Sequence, residues 1–373
     1  MLSRRSFTRA IAAGWLSGTA GLWSEPALAQ RALVEAELPQ DMVWLNANEN
    51  PEGPPQVSLA AMQEVMPTAW RYHFQEFRDF YRRVAGSVGL SSSEVYVGQG
   101  SSEVLQVAIA AFGSASHPLI TMEPTFELPA GLAGAFGIPV VRVPLTSGYY
   151  ADVKKLVEEA GNAGGGLIYI CNPNNPTAAV TPKTDIAWLV SNLPPNTILL
   201  VDEAYIHFAE TPEMESALRY VREGKDVIVA RTFSKIYGMA GLRVGFGCAR
   251  QELMSRMWPY RSGVISIVSA RAVMAALNDA QAIEEGRRKR FTAVRNELCA
   301  WLRGKGFEYI EPHANFLMID VGRDVHEFSQ QMARLGVAVG RPFPPLTNML
   351  RVSIGAESDM ARFRNAFERV YKG

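Results

Sequence analysis

A lysine flanked by hydroxyl and glycine residues is the feature of this 373-residue sequence best suited to chemistry. The segment Thr232-Phe233-Ser234-Lys235 follows a strand-like run, and Arg243 comes eight residues after the lysine. A lysine amine can form a Schiff base with a carbonyl compound, and burial can lower its pKa enough for it to transfer protons as well. Nearby hydroxyl groups and a guanidinium suit a phosphate. The segment therefore indicates a carbonyl cofactor with a phosphate, although a solvated lysine in a glycine-rich turn explains it equally well when it is taken alone.

An aspartate at the end of another strand-like run favours a cofactor site over a solvated lysine. The segment Val201-Asp202-Glu203-Ala204-Tyr205 places a carboxylate where burial is unfavourable unless it has a partner. A protonated pyridine nitrogen is such a partner, and Asp202 would keep that ring cationic, while Tyr205 would contact the ring oxygen. A strand end with a helix cap, or the carboxylate of a nucleotide site, are the alternatives. The nucleotide alternative is disfavoured because the chain has no GxxxxGK[ST] loop and no convincing GxGxxG after a first strand.

Two further loops offer hydrogen-bond donors at strand or helix ends. The loop Asn172-Pro173-Asn174-Asn175-Pro176-Thr177 follows a strand-like run, and Asn175 could contact the ring oxygen from the side opposite Tyr205. The segment Gly98-Gln99-Gly100-Ser101-Ser102-Glu103 begins a helix, whose first N–H groups form a natural phosphate site. A rigid turn and an ordinary helix cap are the respective alternatives.

Two arginines near the C-terminus are candidates for substrate contacts. Arg351 lies in the otherwise apolar run Leu350–Ser353, where an unpaired charge would be unfavourable. The α-carboxylate of an amino acid would provide a bidentate partner for it. Arg341, near a proline-rich loop, is a second candidate, for which a surface salt bridge explains the sequence equally well. Asn48, in the turn-forming segment Leu45–Pro51, is a third candidate.

The composition argues against several other classes of protein. The formal net charge is zero, which argues against a broad nucleic-acid-binding surface. The five histidines do not fall at metal-ligand spacings, and the three cysteines are too few for a disulfide framework. There is no GxSxG motif of a serine hydrolase. We therefore expect no metal centre and no nucleic-acid partner.

Short apolar runs, most of them separated by enough residues for a helix, predict an α/β fold. Such runs form a mostly parallel sheet covered by helices on both faces. Ligands of these sheets bind beyond the carboxyl ends of the strands, which is where the candidate residues lie. The runs are Leu119–Met122, Val140–Val143, Leu167–Cys171, Ile198–Val201, Val227–Ala230 and Val244–Cys248.

The chain length suits one large and one small domain. We expect an N-terminal arm and substrate-side loop over residues 30–57, a large domain over 58–262 and a small α+β domain over 263–373. The small domain should contain a helical stretch from about Val264 to Leu302, strands at Phe316–Asp320 and Leu350–Ile354, and a closing helix at Ser358–Tyr371. The basic run Arg287–Arg290 is expected to be a solvated helix face without a function.

The first 29 residues are expected to be an export signal. Ser3-Arg4-Arg5-Ser6-Phe7 is a twin-arginine pattern, an apolar stretch from Ala10 to Leu22 follows, and Pro26-Ala27-Leu28-Ala29 provides a cleavage site after Ala29. The apolar stretch is shorter than the roughly 20 residues that a membrane span needs. We therefore expect a periplasmic protein without a stable membrane span; a surface helix with two arginines is the alternative.

These motifs resemble those of the pyridoxal-phosphate (PLP) aminotransferases of fold type I, and most closely those of the histidinol-phosphate aminotransferases. The resemblance extends from Leu45–Pro51 to Leu350–Gly355, with the motifs in the family's order and spacing. It implies a homodimer with PLP near the interface, and transfer of an amino group between an amino acid, or a similar amine, and a 2-oxo acid. A PLP decarboxylase, a lyase or an amino-acid oxidase on the same fold is the first alternative, and a PLP-binding protein without turnover is the second.

The resemblance also implies a role for each motif residue. Lys235 would be the Schiff-base lysine and proton carrier, Asp202 would pair with the pyridine nitrogen, and Asn175 and Tyr205 would hold the ring oxygen. Arg351 would bind the substrate carboxylate. The remaining cofactor contacts would be Phe126 on the ring, Tyr72 on the phosphate in the neighbouring subunit, and Ser101, Ser102, Thr232, Ser234 and Arg243 on the phosphate.

Two positions depart from the family pattern. Thr177 is followed by Ala178-Ala179, where the family usually has glycine, and Tyr72 is followed by His73, where proline or aspartate is usual. Both departures lie near the substrate side, and a histidine-pathway enzyme would be expected in the cytoplasm. We therefore expect the substrate to be an amino compound other than histidinol phosphate.

Overall fold

The computed structural model describes residues 41–372, which contain eleven strands and twelve α-helices. The expected export signal, residues 1–29, lies outside the described residues. The strands are Val43–Leu45 (β1), Val95–Gly98 (β2), Leu119–Glu123 (β3), Val140–Pro144 (β4), Gly166–Cys171 (β5), Thr197–Asp202 (β6), Val227–Thr232 (β7), Gly245–Cys248 (β8), Phe316–Asp320 (β9), Val337–Val339 (β10) and Met349–Ser353 (β11).

A seven-stranded sheet in the order β2-β8-β7-β6-β5-β3-β4 forms the centre of the fold. The pairs between β4, β3, β5, β6 and β7 are parallel, whereas β8 is antiparallel to both β7 and β2. Every residue of β5 and β6 is buried, because helices cover both faces of a parallel sheet. The predicted mostly parallel α/β fold is confirmed.

Residues 41–372 contain twelve α-helices, and the long stretch expected to be helical from about Val264 to Leu302 is divided between two of them. They are Gln56–Val65 (α1), Phe74–Ser87 (α2), Ser101–Phe112 (α3), Leu128–Ala135 (α4), Val153–Asn162 (α5), Lys183–Ser191 (α6), Leu218–Arg222 (α7), Gln251–Met257 (α8), Ile267–Asn278 (α9), Ala280–Lys305 (α10), Val325–Arg334 (α11) and Glu357–Lys372 (α12). Among residues 41–372 no helix combines the length and the apolarity that a bilayer span requires.

The C-terminal part of the chain contains two smaller sheets. Strands β9 and β11 pair antiparallel, with Arg351 opposite Met318. Strand β1 pairs parallel to β10, so the segment before the first helix contacts the C-terminal part of the fold. Strands β1, β2 and β10 were not predicted, because runs of three or four residues are too short for a clear alternating pattern. The domain boundaries at residues 57 and 262 remain predictions.

One expectation about the surface is wrong. Arg287 was expected on a solvated helix face, but only 5% of it is exposed. The reason is that helix α10 packs this face against the loops after β1 and β7, where Arg287 donates hydrogen bonds to Gly53 and Ile236 carbonyl groups. Lys289 and Arg290, which follow it in the basic run, are exposed as expected.

Candidate active site

The carboxyl ends of β5, β6 and β7 face a cavity of about 390 Å³. Its position agrees with the rule that ligands of parallel sheets bind beyond the carboxyl ends of the strands. The predicted residues that line it are Ser101, Ser102, Phe126, Asn175, Asp202, Tyr205, Thr232, Ser234, Lys235 and Arg243. The structure thus brings together residues that the sequence separates by more than 140 positions.

Lys235 lies in the loop that connects β7 to the antiparallel strand β8. Its Nζ donates hydrogen bonds to the carbonyl oxygens of Ala47 (3.3 Å) and Asn48 (3.1 Å). The same nitrogen lies 5.5 Å from the centre of the Tyr205 ring. The amine is therefore held inside the cavity, next to the tyrosine expected at the ring oxygen.

Asp202 is the last residue of β6 and is 3% exposed. Burial raises the pKa of its carboxyl group to about 6, although hydrogen bonds from the Ala204 N–H (3.1 Å) and the Tyr169 hydroxyl (3.3 Å) oppose the rise. A buried carboxylate in this condition gains free energy from a cationic partner in the cavity. The structure therefore supports the expected pairing with a protonated ring nitrogen.

Part of the cavity lining carries groups that suit an anion. Helix α3 begins there at Ser101 after Gly100, whose φ is +80°. An added Cβ at Gly245 of β8 would lie 2.2 Å from the Ser101 nitrogen, so the strand and the helix start are in direct backbone contact. Thr232 and Ser234 are joined by a 2.9 Å hydrogen bond between their hydroxyl groups. Hydroxyls, helix N–H groups and Arg243 together suit a phosphate.

A buried carboxylate in the first turn of α3 fixes this helix start. Glu103 accepts hydrogen bonds from the Gln99 N–H (2.6 Å), the Tyr96 hydroxyl (2.5 Å) and the Ser262 hydroxyl (2.7 Å). Burial alone would raise the pKa of Glu103, but these hydrogen bonds outweigh it and the pKa is lowered. Glu103 gives no functional signal in the sequence, since an acidic residue in the first turn is ordinary in any helix.

Arg351 lies behind Asn175 and is fully buried. Its Nη1 donates to Asn175 Oδ1 and its Nη2 to the Asn46 carbonyl oxygen, both at 2.7 Å. The guanidinium also packs over the Phe343 ring at 4.7 Å. Since the amide oxygen of Asn175 accepts from Arg351, its NH₂ group is the end left for the cavity.

The loop before Asn175 also positions Phe126. Asn174 accepts a hydrogen bond from the Thr125 hydroxyl (2.8 Å) and donates one to the Pro124 carbonyl oxygen (3.1 Å). These bonds tie the two loops that follow β3 and β5, and Phe126 thereby reaches the cavity wall. The ring is thus available to stack on a flat ligand.

Three other candidate residues do not line this cavity. Asn48 is buried and donates from its amide to the Tyr205 hydroxyl (3.2 Å), so it supports that tyrosine. Arg341 forms a salt bridge with Glu127 (2.7 Å), the alternative left open by the sequence. Tyr72 is 74% exposed and stacks on Phe74.

The departure at Ala178 keeps the backbone shape that glycine favours. The φ of Ala178 is +59°, and its N–H donates to the Asn174 carbonyl oxygen at 2.7 Å. An alanine in this region costs roughly 1 kcal/mol more than glycine. The turn beside Asn175 therefore has a backbone shape that suits glycine, although residue 178 is alanine.

Several lining residues were not predicted from the sequence. Cys171 ends β5 opposite Asp202, Ala47 and Glu49 come from the loop after β1, and Tyr169 supports Asp202 from within β5. The position of Cys171 at a strand end was a usable signal. Tyr169 gave none, because a tyrosine in an apolar strand is typical of a core.

The arrangement fits PLP. The anion site suits its phosphate, Lys235 its carbonyl group, Asp202 its ring nitrogen and Asn175 with Tyr205 its ring oxygen. Within residues 41–372 no cluster of three or more histidine, cysteine, aspartate or glutamate side chains could hold a metal ion.

Comparison with known proteins shows which family the chain belongs to. The family "Aminotransferase class I and II" matches residues 40–370. The histidinol-phosphate aminotransferase of Symbiobacterium thermophilum is 34% identical over 88% of this chain and 90% of its own length. Histidinol-phosphate aminotransferase 2 of Rhizobium meliloti is 30% identical over 94% of this chain and 99% of its own length.

A solved structure supports the fold. The crystal structure of histidinol-phosphate aminotransferase from Sinorhizobium meliloti in complex with pyridoxal-5'-phosphate has a TM-score of 0.83 and 23% identity to this chain. The superposition covers 95% of this chain and 96% of that one. The family match and the two relatives above favour transamination over decarboxylation, elimination or oxidation. The chain belongs to the class I and II aminotransferases and is a PLP-dependent transaminase of fold type I.

Proposed function

We propose that the cavity at the ends of β5, β6 and β7 is the active site and that Lys235 binds PLP covalently. The observation that carries the proposal is that Lys235, the buried carboxylate of Asp202 and the first residues of α3 line the same cavity. Each of these groups matches a different part of PLP.

When bound, PLP supplies a cationic ring that accepts the electron pair left when a proton leaves the substrate Cα. Asp202 keeps the ring nitrogen protonated through its buried charge. The Nζ of Lys235, once a substrate amine has displaced it, takes the proton from Cα and later returns it. Asn175 and Tyr205 orient the ring through its oxygen.

We propose an amino acid, or an amine resembling one, as the amino donor and a 2-oxo acid as the acceptor. Arg351 is the group for the substrate carboxylate, because it is a buried cation directly behind Asn175. Histidinol phosphate is the substrate that the relatives' names give, and the departures at Ala178 and His73 together with the expected export favour another amino compound.

We propose that the protein is a homodimer. Met66, Trp70, Tyr72 and Phe74 are between 61% and 79% exposed and form an apolar surface around α2. Such a surface is typical of a subunit interface. Tyr72 would then reach the phosphate site of the neighbouring subunit.

We also propose that the protein is exported to the periplasm by the twin-arginine route and cleaved after Ala29. The N-terminal pattern supports this. N-terminal sequencing of the periplasmic protein should begin at Gln30, and an Arg4→Lys, Arg5→Lys variant should remain in the cytoplasm. Uncleaved protein found only in the cytoplasm would contradict the proposal.

The catalytic proposal is tested by visible absorbance. The wild-type protein should show the Schiff-base band of PLP, and one or more of a panel of amino acids should convert it to the pyridoxamine form. Lys235→Ala should show neither, whereas the exposed Lys154→Ala should behave as wild type. A Schiff-base band or turnover that survives in Lys235→Ala would exclude Lys235 from this role.

A further inference from the structure

A buried arginine contacts the Lys235 loop without lining the cavity. Arg287 Nη1 donates to the carbonyl oxygen of Ile236 at 2.9 Å, and Nη2 donates to the carbonyl oxygen of Gly53 at 2.7 Å. Glu52 lies 3.4 Å from Arg287 Nε. Burying a guanidinium is unfavourable unless its donors are satisfied, so this arrangement joins the Lys235 loop firmly to the loop after β1.

An asparagine makes the same connection from the other loop. Asn50 Nδ2 donates to the carbonyl oxygens of Lys235 (3.2 Å) and Ile236 (3.0 Å), and its Oδ1 accepts from the Glu52 N–H (2.9 Å). The two loops also touch through backbone, because an added Cβ at Gly238 would lie 2.2 Å from the Gly53 oxygen.

The contacts reach both ends of the lysine. Asn50 and Arg287 bind the carbonyl groups that follow its Cα, and the carbonyl groups of Ala47 and Asn48 accept from its Nζ. The amine position therefore depends on the loop after β1 at the backbone end and at the tip. A displacement of about 1 Å in a reacting group can cost on the order of 100-fold in rate.

We propose that Arg287 and Asn50 are positioning residues for Lys235. They hold the backbone of Lys235 and Ile236 at the place from which the amine reaches the carbonyl group of PLP. This inference depends on the proposed covalent role of Lys235. It gives a function to the one arginine of the basic run that is buried.

The test uses full-length protein from which the cofactor has been removed. The rate of Schiff-base formation after addition of PLP is followed by absorbance, and the dissociation constant of pyridoxamine 5'-phosphate is measured separately. Pyridoxamine 5'-phosphate cannot form the bond to lysine, so its affinity reports on the cavity alone. The variants are Arg287→Met, Arg287→Lys and Asn50→Ala, and the thermal unfolding midpoint shows that each is folded.

We expect Arg287→Met and Asn50→Ala to slow Schiff-base formation by about tenfold or more. The affinity for pyridoxamine 5'-phosphate should stay within about twofold, since neither Arg287 nor Asn50 lines the cavity. Arg287→Lys should recover part of the rate because it keeps one charged donor. Arg290→Gln is the matched control: it removes an exposed arginine of the same run that pairs with Glu52, and it should leave both quantities unchanged.

A wild-type rate of Schiff-base formation in folded Arg287→Met and Asn50→Ala would overturn the proposal. Equal losses of rate and of pyridoxamine 5'-phosphate affinity would also overturn it, because they would show a general disturbance of the cavity. If Arg287→Met does not fold, the proposal is tested with Asn50→Ala and Arg287→Lys, through the rate of Schiff-base formation and the affinity for pyridoxamine 5'-phosphate. A Schiff-base band that Lys235→Ala retains would instead contradict the proposed role of Lys235.

Discussion

Asp202 and Arg351 are charged side chains in the least exposed part of the protein, at 3% and 0% exposure. Arg351 donates hydrogen bonds to Asn175 and to the Asn46 carbonyl group, whereas burial raises the pKa of Asp202 to about 6. The difference indicates that Asp202 is matched to a cation that binds in the cavity. Burial of the Asp202 carboxylate is therefore unfavourable in the cofactor-free protein, and a cationic cofactor ring would offset that cost.

The raised pKa of Asp202 predicts that the stability of the cofactor-free protein depends on pH. The pKa rises from 3.8 in the unfolded chain to about 6 in the folded one, so the folded state holds the extra proton between these values. Stability should therefore fall as pH rises from about 4 to 6, by up to about 3 kcal/mol. Asp202→Asn should remove this dependence and be the more stable protein at pH 7, as measured by denaturant unfolding.

Asp279→Asn is the control. Because Asp279 is exposed, this variant should keep the pH dependence of the wild-type protein. Parallel pH profiles of wild type and Asp202→Asn would show that Asp202 is not the group responsible.

Ala178 offers a second prediction at a single residue. Its φ of +59° is one that glycine adopts without strain. Ala178→Gly should raise the free energy of unfolding by up to about 1 kcal/mol and leave the transamination rate unchanged, because the turn shape is already that of glycine. Ala179→Gly is the neighbouring control and should lower stability, since φ of Ala179 is not positive. A destabilised Ala178→Gly would contradict the strain argument.

At the scale of elements, the anion site depends on how strand β8 meets helix α3. The backbone of Gly245 touches Gly100 and Ser101, and Glu103 fixes the same turn from the other side. Direct backbone contact of this kind leaves no room for a side chain. The N–H groups of the helix start are thereby held at the end of the cavity.

Gly245→Ala should therefore disturb the anion site. Its Cβ would lie 2.2 Å from the Ser101 nitrogen, so the strand and the helix must separate. We expect the affinity for pyridoxamine 5'-phosphate to fall by about tenfold or more, equivalent to about 1.4 kcal/mol, in a calorimetric titration. Gly304→Ala, where an added Cβ meets nothing within 4 Å, is the control. Unchanged affinity in folded Gly245→Ala would show that the helix start does not bind the phosphate.

At the scale of the whole molecule, one expected cofactor residue is separated from the cavity of its own chain. Tyr72 is 74% exposed and lies in the apolar surface with Trp70 and Phe74. In the proposed dimer, Tyr72 would contact the phosphate of the second subunit. The site would then be complete only in the dimer.

Subunit mixing tests this arrangement. Lys235→Ala and Tyr72→Ala homodimers should each have little activity. Mixed dimers, obtained by co-expression, contain one site with both Lys235 and Tyr72. Equal co-expression makes half of the dimers mixed, so about a quarter of the wild-type activity should return. No recovery above the sum of the two variants would show that Tyr72 does not act across an interface.

The sequence by itself determined the fold class and most of the cofactor site. Lys235, Asp202 and Asn175 could be identified because each follows an apolar strand, and parallel strands bring their carboxyl ends to one edge. Local patterns of this kind span only a few residues. They gave strands β3 to β9 to within two residues and the start of helix α3.

The tertiary structure alone decided which polar residues support these motifs. Arg287 was expected in solvent but is buried. For Arg341 the sequence allowed either a substrate contact or a salt bridge, and the structure shows the salt bridge. Nothing in the sequence indicated that Tyr169 and Glu103 support the site. Their roles depend on hydrogen bonds between segments far apart in the chain, such as Arg287 to Gly53 across 234 positions. No spacing rule predicts which loops meet, because that is fixed by the packing of the whole fold.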